Sequence, residues 1–164
     1  MPPSHLYNST HMARKIFPTA VDCELAFYDA FERGDLKLMM AVWSDEPDTI
    51  CVHPQGPRLA GLSAIRDSFA EIFSHLPTAS KPRIKVSELR KHQSQTLAIH
   101  AVYESFVADP PPAASGGEVV APAPILATNI YLLTPNGWRM IVHHASLSPQ
   151  GTVAEEQGVS RILH

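Results

Sequence analysis

The chain has 164 residues, 45% of them hydrophobic and 18% charged, with a formal net charge of -3. That length suits one domain around one core, and the slight acidity excludes the basic excess on which nucleic-acid binders rely. Residues 1–20 carry scattered charges and no apolar run of signal-peptide length, and no later segment reaches the roughly 20 apolar residues of a membrane span. A cytoplasmic protein with neither nucleic acid nor membrane as partner is therefore expected.

Residues 1–17 lack a clear period and read as an N-terminal arm. "TAVD" (Thr19 to Asp22) matches a capping box, and Cys23, Phe27, Ala30 and Phe31 then recur at helical spacing up to Arg33, where Gly34 supplies the stop. "DLKLMMAVWSDEP" continues as a second short helix with Leu36, Met39, Met40 and Trp43 on one face, ended by Pro47. "DTICVHP" reads as a short strand and "QGPRLAG" as turn chemistry. Leu62, Ile65, Phe69, Ile72, Phe73 and Leu76 then mark the stripe of a third helix, closed by Pro77.

From there the period changes to two. "RIKVSELRKH", "TLAIHAVYESFVA", "ILATNIYLLT" and "GWRMIVHHASLS" are four β-runs, the last pair joined through "TPNG", a hairpin signal. Residues 109–124 form a loop rich in Pro, Gly and Ala, either a plain connector or a flap over a pocket. The domain proper is expected over residues 18–149, with a polar tail over 150–164. Helices followed by strands imply an α+β domain in which a curved, mainly antiparallel sheet wraps around the N-terminal helices as a cone with a pocket.

Cys23 and Cys51 have no metal or redox spacing and read as reduced, buried fillers. His143 and His144 are adjacent on the last strand, so they point to opposite faces unless a bulge intervenes. A two-residue "TPNG" loop pairs Thr134 with Gly137, Tyr131 with Met140, Asn129 with Val142 and Ala127 with His144. That register puts His144 on the face of Asn129 and Tyr131, and His143 on the opposite face with Arg139 and Ile141. A His-His dipeptide on a strand cannot offer two converging ligands, so no metal is expected, the one metal alternative being a site assembled from His53 and His144 with a third ligand.

The stretches "AFYDAFERGDLKLMMAVWSDEPDTICVHPQG" and "LAGLSAIRDSF" and the closing "WRMIVHHAS" resemble the SnoaL-like branch of the nuclear-transport-factor-2-like superfamily, which includes ketosteroid isomerase and polyketide cyclases. The resemblance covers roughly residues 19–148 and implies a curved sheet enclosing a pocket, with a homodimer packed through the exposed sheet face. Against the isomerase pattern it places His53 of "HPQG" at the general-base position, Asn129 at that of the acidic donor and Phe27 at that of the oxyanion-binding tyrosine. Tyr28, one residue along the helix from Phe27, is turned by about 100° and is not expected to substitute. The same comparison puts Val142, His144 and Ser146 on the cavity wall, in agreement with the hairpin register, which implies His144 toward the pocket and His143 toward solvent or a partner; Trp43 lies either on that wall or in the core. Phe69 completes the ligand-binding set.

These residues imply a pocket for a small apolar molecule, with His53, Asn129 and His144 as its chemistry and no cofactor. An imidazole base with a neutral donor suits a proton shift or dehydration on a carbonyl-type ligand. The alternatives are a non-catalytic dimerisation or protein-interaction module, and hydrolysis by a water held between His53 and His144. A hollow of roughly 300 Å³ or more lined by His53 would favour the pocket. Arg58, Arg66 and Arg90 read as surface charges, Arg58 alternatively as a cover over an acidic ligand.

Overall fold

A computed structural model describes residues 15–77, 82–107 and 123–148. Residues 1–14 of the expected arm, nearly all of the 109–124 loop and the 150–164 tail lie outside the described residues. Helix α1 (Ala20–Arg33) starts as its capping box dictates: the Thr19 hydroxyl accepts the Asp22 N–H at 3.0 Å, and the Asp22 carboxylate accepts the Thr19 N–H at 3.1 Å. Gly34, at φ 64°, ends it by donating its N–H to the last-turn carbonyls of Ala30 and Phe31.

Helix α2 (Leu36–Val42) is capped by Asp35 and stops one residue short of Trp43, which is already extended and bridges to Met140. Strand β1 (Ile50–Val52) follows. "QGPRLAG" is more than a turn, because Arg58–Ala60 forms strand β2, antiparallel to β1. Three residues are too few to show a period. Helix α3 (Leu62–Ser74) and strands β3 (Arg83–Gln93), β4 (Leu97–Val107), β5 (Ile125–Thr134) and β6 (Gly137–Leu147) lie where the apolar spacing puts them.

The six strands form one curved, open sheet in the order β2-β1-β6-β5-β4-β3, antiparallel except between β1 and β6. The fold is thus α+β, with the three helices on one sheet face. There Phe27, Met39, Trp43, Ile65 and Phe69 pack with Ala98, Tyr131, Trp138 and Met140. Phe17 joins this core and pairs with Gly137, tied down by Arg139, whose guanidinium donates to the Lys15 carbonyl at 2.8 Å.

The β5/β6 hairpin begins in the expected register, Thr134 with Gly137 and Tyr131 with Met140. Beyond that pair Ile130 meets Val142, leaving Ile141 as one extra residue in β6. A bulge of one residue reverses the facing of everything after it. Asn129 consequently pairs with His143, and Thr128 with His144. The expected facing of this stretch is corrected: His143 is buried on the helix side, at 4% exposure, whereas His144 and Ser146 are exposed and Val142 half-buried on the opposite face.

Candidate functional site

A cavity of about 210 Å³ lies between α1, α3 and the sheet. Most of its wall is apolar, built from Phe27, Phe31, Phe69 and Phe106 with Ile72, Ile84 and Ile125. Four polar side chains face it: Tyr28, His53, Glu104 and His143. The volume is below the roughly 300 Å³ of a typical ligand pocket and leaves room for no more than a one-ring or short-chain group.

His53 follows β1 in "HPQG", where the Gly56 N–H closes a turn onto the His53 carbonyl at 2.9 Å and Gln55 adopts φ 62°. That turn carries the ring toward α3. There its Nε2 is 3.0 Å from the Ser68 hydroxyl, and the ring meets Phe69 edge to face. Burial lowers the His53 pKa from its usual range, so the ring is neutral at physiological pH.

His143 lies with its ring centroid 5.0 Å from that of Phe27, and its Nδ1 is 2.7 Å from the Asn129 side-chain oxygen. Burial first, then the nearby His53 and His144, hold its pKa down at about 3. The Asn129 amide nitrogen donates to the Tyr28 hydroxyl at 3.1 Å, and that hydroxyl donates to Glu104 at 2.7 Å. Burial raises the Glu104 carboxyl to about 7 despite the stabilising Tyr28 contact, and among the described residues no lysine or arginine lines the cavity to offset it. Burial and the neighbouring Glu104 push the Tyr28 hydroxyl far above its ordinary range.

The expected site residues separate accordingly. His53, Phe27 and Phe69 line the cavity. Asn129 stands one layer behind, its oxygen and nitrogen engaged by His143 and Tyr28, so it is no free donor to a ligand. Trp43 is fully buried behind Phe27 and Phe69 and is core, not wall. The bulge removes His144, Val142 and Ser146 to the other sheet face, ending any water site between His53 and His144.

Tyr28, Glu104 and His143 were not expected at the site. Glu104 had a signal: in β4, Ala98, His100, Val102 and Glu104 alternate inward, which puts an acid on the core side. Deeper still, Glu24 holds His100 Nδ1 at 2.8 Å and accepts from the Tyr131 hydroxyl at 3.2 Å. Burial pushes both Cys23 and Cys51 up to about 12, which leaves them inert thiols. Among the described residues no group of three or more His, Cys, Asp or Glu is placed to hold a metal ion, and no helix is long and apolar enough to cross a membrane.

The SnoaL-like domain family model matches residues 22–150. No curated protein matches the sequence. Among solved structures, one from Thiobacillus denitrificans, described as a calcium/calmodulin-dependent protein kinase type II association domain, is 33% identical. It covers 82% of this chain and 99% of its own, with a TM-score of 0.68. A Streptomyces avermitilis protein described as a dehydratase of the NTF2-like family is 26% identical over 77% of this chain and 91% of its own, with a TM-score of 0.64. A Nostoc punctiforme protein with a cystatin-like fold, 13% identical over 82% of this chain and 97% of its own at TM-score 0.61, is alike in fold alone.

Proposed function

The chain belongs to the SnoaL-like domain family, and from that premise we propose that it binds a small, neutral, apolar carbonyl compound and moves a proton on it. The observation that carries this reading is the convergence of two neutral imidazoles and one carboxyl of raised pKa on a single apolar cavity. A neutral imidazole accepts a proton from a carbon beside a carbonyl, and a carboxyl titrating near 7 both gives and takes protons at cellular pH. His53 is the base and Glu104 the acid, while His143, held at a pKa of about 3, is too weak a base for this step and serves as a neutral hydrogen-bonding partner of the ligand. In a proton shift the base takes the α-proton, the double bond migrates, and the acid returns a proton at the far carbon. In a dehydration the acid instead protonates the departing hydroxyl. The Streptomyces protein described as a dehydratase supports the second form.

The test uses a one-ring β,γ-unsaturated ketone, whose conversion to the conjugated enone is followed by absorbance, alongside a one-ring β-hydroxy ketone for loss of water. Turnover above buffer, reduced at least about a hundredfold in Glu104→Gln, is the expected result. No turnover of either ketone, together with no small molecule retained by the purified protein in native mass spectrometry, overturns the reading.

A second reading, an association module without chemistry, is favoured by the name of the Thiobacillus relative. It needs a surface for a second copy, and the open sheet face offers one: Ile99, Ile130 and Val142 lie in register across β4, β5 and β6 and are half-buried. Pairing through this face is compatible with the pocket reading, since the cavity opens on the other side of the sheet.

A further inference from the structure

We propose that Asn129 and Tyr28 are positioning residues that hold His143 in one tautomer, Nδ1 protonated and Nε2 bare, by transmitting the hydrogen-bond demand of the Glu104 carboxylate through an unbroken chain. The use made of this tautomer rests on the proton-transfer reading above. The chain itself does not. Its four members come from α1, β4, β5 and β6, and none is more than 8% exposed.

Each link leaves the next no choice. An ionised carboxylate only accepts, so the Tyr28 hydroxyl donates its single proton to Glu104 Oε1, 2.7 Å away. The phenol oxygen then accepts from Asn129, whose nitrogen lies 3.1 Å off. That orients the amide with its oxygen toward His143, and an oxygen can only accept, so the Nδ1 at 2.7 Å bears the hydrogen. A neutral ring has one N–H, which leaves Nε2 with its lone pair, the form of imidazole that accepts a hydrogen bond there.

The opposite polarity needs Glu104 to carry a proton on Oε1, Tyr28 to donate to the amide oxygen, and the amide to turn over. Protonating Glu104 therefore releases the constraint, and His143 becomes free to present N–H instead of a lone pair. The titratable groups facing Glu104 are Tyr28 and Glu24 of α1 and Cys51 of β1, while its cross-strand partners Val86 and Ile125 carry none. The one facing His143 is His53, which follows β1; His144, its neighbour on β6, points to the other sheet face and acts on it only through charge. Glu104 and His143 are thus the two ends of one chain: ionised Glu104 enforces a bare Nε2 on His143, and protonated Glu104 relaxes it.

The experiment is long-range ¹H–¹⁵N correlation NMR on the unliganded protein labelled with ring-¹⁵N histidine. Well above the Glu104 titration, His143 of the wild type is expected as the Nδ1–H tautomer in at least about tenfold excess. Tyr28→Phe cuts the chain, and Glu104→Gln replaces the obligate acceptor by a group that also donates, so each is expected to bring the two tautomers near parity. Asn129→Asp, whose carboxylate accepts directly from Nδ1, is expected to restore the excess in the Tyr28→Phe background. An Nε2–H tautomer in the wild type overturns the proposal, as does an unmoved ratio in whichever of Tyr28→Phe and Glu104→Gln retains the native amide spectrum. Since no ligand is present, failure here leaves the pocket reading standing, and failure of ketone turnover leaves the relay standing.

Discussion

Glu104 and His143 lie in one cavity and respond to burial in opposite directions, because burial disfavours whichever form is charged. The Glu104 pKa rises from 4.5 to about 7, so the folded state holds a proton that the unfolded state releases between those values. Its contribution to stability is present below about 4.5 and is lost as pH rises through 7. The His143 pKa falls from 6.5 to about 3, so its contribution is present above 6.5 and is lost as pH falls toward 3. The two slopes oppose each other between 4.5 and 6.5, where His53 adds to that of His143. Glu104→Gln removes one side of the balance. Relative to wild type, the variant should gain on the order of 3 kcal/mol between pH 4.5 and 7, since each tenfold change in proton affinity is worth about 1.4 kcal/mol. Urea unfolding of both proteins across that range measures it, and a difference that does not change with pH would show that Glu104 titrates normally.

At the scale of elements, the β5/β6 hairpin decides which histidine enters the cavity. Its turn is anchored at Gly137, whose φ of 90° suits glycine and whose missing Cβ would sit 2.7 Å from the Phe17 carbonyl oxygen. That carbonyl accepts the Trp138 N–H at 2.9 Å, so neither backbone can withdraw without breaking a hydrogen bond. Gly137→Ala is expected to destabilise the fold by about 2 kcal/mol or more through backbone strain alone. A shift of the urea midpoint too small to resolve would mean that the N-terminal segment detaches freely. Four pairs beyond the turn, the Ile141 bulge shifts the register by one residue. The side-chain alternation of "WRMIVHHAS" is legible in the sequence, but the bulge is not: each apolar residue of "MIV" fits either face equally well, so no local energy marks the insertion point.

Over the whole molecule, the helices cover one face of the sheet and leave the other open. Across that open face Ile99–Ile130–Val142 and Ala101–Thr128–His144 form two rows in register. The first row is apolar, the kind of surface a second copy would bury, and His144 of the second row would stand at that contact. Ile130→Glu should convert a dimer to a monomer in sedimentation equilibrium while leaving ketone turnover in place. A wild type that is monomeric at all concentrations tested would rule out pairing through this face.

The sequence by itself determined the helices, the four long strands and the family, because capping boxes, helical apolar stripes and period-two strands are local signals that each such segment carries whole. Thr19, Gly34 and the stripe from Leu62 to Phe73 needed no distant partner to be read. It also pointed to His53, through the resemblance of "HPQG" to the general-base motif of the isomerases, and that ring does line the cavity. Only the tertiary structure decided that His143 faces inward, that Tyr28 and Glu104 join it, and that Asn129 links them. Those outcomes depend on where β6 slips against β5 and on which α1 side chain meets β4. Such pairings join residues as many as 101 positions apart, and they are selected by the packing of the whole sheet against the helices, not by any stretch of chain alone.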